Sequence, residues 1–199
     1  MVVSIAVLSV VVAYLVGSIS SAIIVCHLMG LPDPRTSGSK NPGATNVLRL
    51  GGKKAAIITL LGDVLKGFLP VLIVRLYTDS SSVLAAVTLV AFLGHVFPVL
   101  FRFQGGKGVA TAFGGMVALS WPTALATIVS WILVAMIFRY SSLSALVAAC
   151  LAPIYIGYFT AVPIYIGMSS LISSLIVWRH RSNIRSLLAG TERKIGQKG

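Results

Sequence analysis

The chain alternates long apolar runs with short polar connections. The apolar runs cover Val2 to about Met29, Lys53 to Tyr77, Val83 to Phe101, Val109 to Ser120, Thr123 to Phe138, Leu143 to Phe159 and Ile164 to Trp178. A helix crosses the hydrocarbon core with about 20 residues, each rising about 1.5 Å. The pattern predicts an all-α, polytopic integral membrane protein of about seven transmembrane helices. Asp63 and Lys66 interrupt the second run, Trp121-Pro122 reads as a turn, and the sixth run ends before Pro163. The fourth run is short for a span. A re-entrant pair formed by the fourth and fifth runs, with five or six spans in all, is the alternative. Residues 1–199 read as a single helical transmembrane domain.

Composition strengthens this picture. Of 199 residues, 57% are hydrophobic and only 10% charged, and mean hydropathy is +0.96. A soluble domain carries about a quarter charged residues, so too little polar surface exists here to cover a water-soluble globule. Cys26 and Cys150 both lie inside apolar runs and read as small packing residues, not as a disulfide framework. No Lys or Arg precedes Arg35. A secretory signal peptide needs a basic n-region, so the first run is expected to be a retained span.

Lys and Arg number 16 against 4 Asp and Glu, a net charge of +12. No soluble basic domain exists to carry nucleic-acid binding, and the charge sorts by connection instead. One set of connections holds Arg35, Lys40, Arg49, Lys53 and Lys54, then Arg102 and Lys107, then Arg139, then the Arg179–Lys198 tail. The opposite set, around Thr78–Ser82, Ser120–Pro122 and Thr160–Pro163, is almost bare, with only Arg75 nearby. The positive-inside rule places the N-terminus outside and the C-terminus in the cytoplasm. That arrangement needs an odd number of spans, in keeping with seven. Tyr77, Trp121, Tyr155, Tyr158 and Tyr165 are expected to form an aromatic belt at the outer boundary. Gly17, Ser18, Ser20 and Ser21, with Gly114 and Gly115, read as small residues that let helices approach.

The unusual polar sequence is all on the basic side. Thr36-Ser37-Gly38-Ser39-Lys40-Asn41-Pro42-Gly43-Ala44-Thr45-Asn46, then Arg49, occupies a connection longer than two helices need. Its small residues free backbone N–H groups, and its hydroxyls, amides and cations suit a phosphate. A solvated turn-rich loop is the bland alternative. Gly105-Gly106-Lys107-Gly108 stands directly before the fourth apolar run, where glycines can shape an anion-binding concavity. It is not a Walker A loop, because Phe101 and Gly108 stand where that motif requires Gly and Ser or Thr. Arg179-His180-Arg181-Ser182-Asn183-Ile184-Arg185, then Gly190-Thr191-Glu192, is a basic tail. Topology control and headgroup contact explain the charge, but not His180 and Asn183, which at i,i+3 would share a helix face. Asp63 and Lys66 share the same spacing. A structural ion pair is the favoured reading, and ordering of the site above them the sharper one. Four dispersed acidic residues cannot build a two-metal carboxylate site. No Cys/His metal spacing and no G-x-S-x-G occur. His27 reads as a packing or interfacial residue.

These motifs resemble the acyl-phosphate:glycerol-3-phosphate acyltransferases, the PlsY family of bacterial membrane enzymes. The resemblance is carried by Gly38–Arg49, by Gly105-Gly106-Lys107-Gly108-Val109-Ala110-Thr111 and by Arg179–Ile184. Gly62-Asp63, Lys66-Gly67, Arg139-Tyr140, Ser142-Leu143 and the Gly190, Glu192, Lys194, Ile195 and Gly196 tail add to it. Lys40 stands where many relatives have Gly, Ser20 where many have Pro, and Ser144 where Gly or Ala is common. The resemblance implies seven spans and a cytoplasmic active site in the inner membrane. It implies acyl transfer from acyl-phosphate to the 1-hydroxyl of glycerol-3-phosphate, giving lysophosphatidic acid and phosphate, with no cofactor. It makes the soluble enzyme that forms acyl-phosphate a candidate partner.

Catalytic roles are then expected for His180, Lys107, Arg49 and Asn183. Substrate contacts are expected from Ser39, Asn41, Thr45, Asn46, Gly106, Gly108 and Ser142. Two groups can take the hydroxyl proton. The substrate's own phosphate is favoured, with His180 orienting it, over His180 as the base. The rival class is a transporter for a small phosphorylated anion. Transporters bind near the midplane and commonly show internal repeats, whereas these motifs cluster at one face and no repeat is visible. A structural assembly factor, the third reading, would have no phosphate affinity.

Overall fold

The structure is a computed structural model that describes residues 2–197. Lys198, the last basic residue of the expected tail, lies outside them. All regular structure among the described residues is helical: α1 Val2–Gly17, α2 Ser21–Leu28, α3 Ala44–Arg75, α4 Ser81–Val96, α5 Val109–Leu119, α6 Trp121–Phe138, α7 Ser141–Thr160, α8 Pro163–Arg179 and α9 Arg181–Leu188. The helices form two compact units, Met1–Leu119 and Ser120–Gly199.

In the first unit, α1 packs on α4, α2 on α3, and α3 on both α4 and α5. Small residues set these approaches. A Cβ on Gly17 would lie 2.2 Å from the Ala91 carbonyl oxygen, and one on Gly114 would lie 2.1 Å from that of Val64. Backbone-to-backbone contact therefore replaces the hydrophobic driving force that lipid cannot supply. In the second unit, α7 is central and packs on α6, α8 and α9. The outward faces are apolar: α3 exposes Ile57, Leu61 and Leu65, and α6 exposes Leu125, Leu133 and Met136. Such faces need lipid as solvent.

The expected first span is two helices, with residues from Ile5 to Gly17 and from Ser21 to Leu28 bent by 41°. Ser18 Oγ donates back to the Tyr14 carbonyl at 2.8 Å, beside the backbone bond from Ser18 N to the same oxygen at 2.9 Å. A break frees carbonyls that cannot stay unpaired in hydrocarbon, and Lys66 Nζ donates to the Ile19 carbonyl at 2.7 Å. The expected pair is also present, with Lys66 Nζ 2.8 Å from Asp63 Oδ1.

The second expected span begins where α3 is interrupted. Gly52 takes φ 75°, ψ −170°, a conformation open to glycine, so residues 44–51 form a separate helical segment ahead of the span. Trp121-Pro122 is not a turn but the start of α6. Ser120 caps it, its Oγ accepting from Thr123 N, and proline is favoured in the first helical turn. Likewise Pro163 opens α8. Among the described residues, four helices are long and apolar enough to cross a membrane, or five with the bent pair counted as one. The expected seven also includes α8, of 17 residues, and α5, whose 11 residues rise only about 16 Å.

Two readings of side chains change. Cys26 is buried, but Cys150 is exposed on α7. Of the aromatic belt, Tyr77, Trp121 and Tyr158 are exposed, whereas Tyr165 is buried and Tyr155 Oη shares a hydrogen bond with Ser130 Oγ at 2.8 Å. Arg75, the lone cation on the sparse side, donates to the Ala118 and Leu119 carbonyls at 2.6 and 3.3 Å. It thus satisfies the open end of α5, a task that explains its place on that side.

Candidate active site

The long first connection is organised by Asn46, which is 1% exposed. Its Oδ1 accepts from Ser39 N at 2.8 Å, and its Nδ2 donates to the Pro34 and Ser37 carbonyls, both at 3.0 Å. One buried amide therefore folds residues 34–39 over the start of α3. The fold demands unusual backbone at Gly38 and Lys40, with φ of 63° and 55°. Lys40 holds a left-handed conformation that costs a side-chain-bearing residue. Ahead of the loop, Asp33 accepts from Arg35 Nη2 at 2.6 Å and Nε at 3.0 Å. The guanidinium hydrogen bonds hold the Asp33 carboxyl below its usual range, against the opposing effect of partial burial. Ser39, Thr45 and Arg49 are exposed around the Asn46 anchor, and Asn41 is half-buried.

The glycine-rich loop rests on the end of α4. Gly106 N donates to the His95 carbonyl at 3.2 Å. A Cβ on Gly105 would lie 2.2 Å from that oxygen, and one on Gly108 (φ 84°) would lie 2.1 Å from the Phe92 ring. A Cβ on Gly106 would meet His95 Nε2 at 2.2 Å and the Pro42 carbonyl oxygen at 2.9 Å. These glycines are required by close approach, and the last contact joins the two loops. The structure thus brings the two loops together at Pro42 and Gly106. Lys107 is half-buried, immediately before the N-terminus of α5, where backbone N–H groups and the helix dipole favour an anion.

The second unit gathers the remaining expected residues. His180 is not on a helix face shared with Asn183; it is the joint between α8 and α9, with φ −91° and ψ 7°. The residue is 3% exposed. Nδ1 lies 2.8 Å from the Ile176 carbonyl oxygen, so Nδ1 carries the proton and Nε2 is the accepting nitrogen of the neutral ring. Asn183 Nδ2 donates to Glu192 Oε1 at 2.8 Å, and Ser142 Oγ donates to the same oxygen at 2.5 Å. The tail is tied again where Ile195 N donates to the Arg139 carbonyl at 2.7 Å. Sequence spacing does not connect Glu192 with Ser142; its place in the tail motif is the signal for it. Trp178 is flanked by the Arg179 and Arg181 guanidinium groups, 5.8 and 4.9 Å from its ring centroid.

The glycerol-3-phosphate acyltransferase family model matches residues 7–190. The chain belongs to that family. It is 56% identical over 193 residues to a glycerol-3-phosphate acyltransferase of Halorhodospira halophila, covering 97% of this chain and 98% of that one. A glycerol-3-phosphate acyltransferase of Methylococcus capsulatus is 53% identical over 186 residues, with 94% of each chain covered. Among solved structures, the glycerol 3-phosphate form of PlsY (YgiH), an integral membrane glycerol 3-phosphate acyltransferase, superposes with a TM-score of 0.92 at 41% identity over 96% of both chains. The lysophosphatidic acid form gives 0.89 at 40% identity, over 96% of this chain and 95% of that one. The motifs of this family member therefore lie on an integral membrane scaffold shared over almost its whole length.

Proposed function

We propose that this family member transfers a fatty acyl group from acyl-phosphate to the 1-hydroxyl of glycerol-3-phosphate. The hydroxyl oxygen attacks the acyl carbon, the bond from that carbon to the phosphate oxygen breaks, and the products are lysophosphatidic acid and inorganic phosphate. The hydroxyl proton passes to a phosphate oxygen. The reading is carried by one observation: the Asn46-anchored loop and the Gly105–Gly108 loop approach each other at Pro42 and Gly106, so two stretches whose composition suits a phosphate lie side by side. Both substrates are phosphates, and so is the leaving group.

In this mechanism Arg49 and Lys107 neutralise the phosphates and the charge developing on the attacked carbonyl oxygen. Ser39, Asn41, Thr45, Gly106 and Gly108 supply hydrogen bonds and close backbone approach, and Asn46 holds the loop that presents them. His180, Asn183 and Ser142 are assigned to substrate binding on the family motifs that carry them. We place the enzyme in the bacterial inner membrane with seven spans, the N-terminus outside and the motifs at the cytoplasmic face, on the charge asymmetry of the connections. The acyl chain lies among apolar helices, and a soluble acyl-phosphate-forming enzyme delivers the donor.

The test is purified protein in detergent given acyl-phosphate and glycerol-3-phosphate without nucleotide or added metal. Lysophosphatidic acid and stoichiometric phosphate are expected. Equal or faster product from acyl-CoA would overturn the donor assignment.

A further inference from the structure

Three buried ionisable side chains of the first unit have no part in the mechanism above. Lys66 Nζ is 2.8 Å from Asp63 Oδ1, and the same oxygen is 3.6 Å from His95 Nδ1. All three residues are under a tenth exposed. Charges in such a place are costly and call for a function. The Lys66–Asp63 pair alone would serve the Ile19 carbonyl at the α1–α2 break; it does not account for the imidazole.

The other edge of that imidazole explains it. His95 Nε2 occupies the space in which a Cβ on Gly106 would fall, and the His95 carbonyl oxygen accepts from Gly106 N at 3.2 Å. The same carbonyl oxygen closes the space beside Gly105. His95 thus meets the glycine-rich loop through both its ring and its backbone. At 3.6 Å the Asp63 oxygen is beyond hydrogen-bond distance, but its negative charge beside Nδ1 favours the proton on that nitrogen and leaves Nε2 as the accepting atom.

We propose that His95 is a positioning residue: Asp63, itself fixed by Lys66, orients the His95 ring so that it holds the Gly105–Gly108 loop in its phosphate-binding shape. His95 acts through Gly106 and not on the reacting atoms. This deepens the acyl-transfer reading and rests on it.

Two measurements test the proposal. The first uses wild-type protein labelled with 15N at histidine, with the His95 signals identified by their loss in His95→Gln. A neutral ring protonated on Nδ1 is expected at neutral pH; a ring protonated on Nε2, or on both nitrogens, overturns the proposal. The second compares turnover. His95→Leu removes the acceptor, and kcat should fall about tenfold or more, while His95→Gln, which keeps a polar atom near the Nε2 position, should retain about a third of it. KM for glycerol-3-phosphate should move less than about threefold in His95→Gln. Equal losses in the two variants, or wild-type kcat in His95→Leu, overturn the proposal. Should His95→Leu fail to fold, the tautomer measurement still decides. Wild-type protein that releases no phosphate from acyl-phosphate refutes the acyl-transfer reading instead, since the tautomer is read without substrate.

Discussion

Asn183 on α9 donates its amide to the Glu192 carboxylate at 2.8 Å, and so ties the C-terminal tail to the helix that carries the third motif. Ser142, at the start of α7, donates to the same oxygen. One carboxylate thereby sets the direction of two side chains assigned to substrate binding. Neither residue sits at a helical or strand spacing from Glu192, so only the fold makes the connection.

Glu192→Ala should loosen both donors at once. Hydrogen bonds to a charged acceptor contribute about 1.5–3 kcal/mol each, and partial exposure of this carboxylate places the loss at the lower end. We expect the melting temperature in detergent to fall by about 5 °C or more, with activity reduced at least about tenfold. An unchanged melting curve would show that the tail is held elsewhere.

Asn46→Asp tests the loop anchor. The substitution keeps shape but replaces the Nδ2 donor with a carboxylate facing the Pro34 and Ser37 carbonyls. A buried unpaired charge against two acceptors costs several kcal/mol, of order 3–5. Expression or stability should drop sharply, and surviving protein should cut more readily with protease between residues 34 and 43. Normal stability would mean that the loop does not depend on this amide.

Gly106→Ala should inactivate the protein without unfolding it. The added Cβ lies 2.2 Å from His95 Nε2 and 2.9 Å from the Pro42 carbonyl oxygen, so the two loops must part. A displacement of about 1 Å at a substrate-positioning loop costs about a hundredfold. Phosphate release from acyl-phosphate is the measurement, and wild-type rates would show that the loop yields freely.

Much of this was legible in the sequence. The loop motifs announce themselves by composition, and the Asp63–Lys66 pair by its spacing inside an apolar run. The start of the second span at Lys53 follows from the glycine pair before it. The break at Ser18–Ser20 was hidden because small residues in a span read equally well as packing, and only the Lys66 hydrogen bond to Ile19 separates the two. His95 carried no signal, being a lone histidine on an apolar helix. Its role comes from Gly106, eleven positions away in sequence and brought back by the turn at Val99–Phe101. Trp121-Pro122 was misread because a proline signals both a turn and a helix start, and the capping Ser120 decides between them.

Arg49→Ala and Lys107→Ala should each leave a folded membrane protein with turnover lowered about a hundredfold or more, the loss of about 3 kcal/mol expected when a charged donor to an anionic transition state is removed. Both residues lie in loop-adjacent positions rather than in the packed core, so stability should change little. Near-normal rates in either variant would leave that residue with a topological role alone.

The last prediction concerns the proton of the attacking hydroxyl. His180 has the intrinsic pKa of a base, and its Nδ1 contact with the Ile176 carbonyl leaves Nε2 as the accepting nitrogen of the neutral ring. That tautomer is compatible with either role, base or hydrogen-bond partner. A phosphate monoester has a second pKa near about 6 and can take the proton locally as its dianion. We therefore expect the substrate phosphate to accept the proton, with His180 orienting it. His180→Gln keeps a polar group in place but cannot be protonated at neutral pH. Turnover within about tenfold of wild type is expected, with a pH profile of kcat that still follows the phosphate. A loss of about a thousandfold or more, restored by added imidazole, would assign the base to His180.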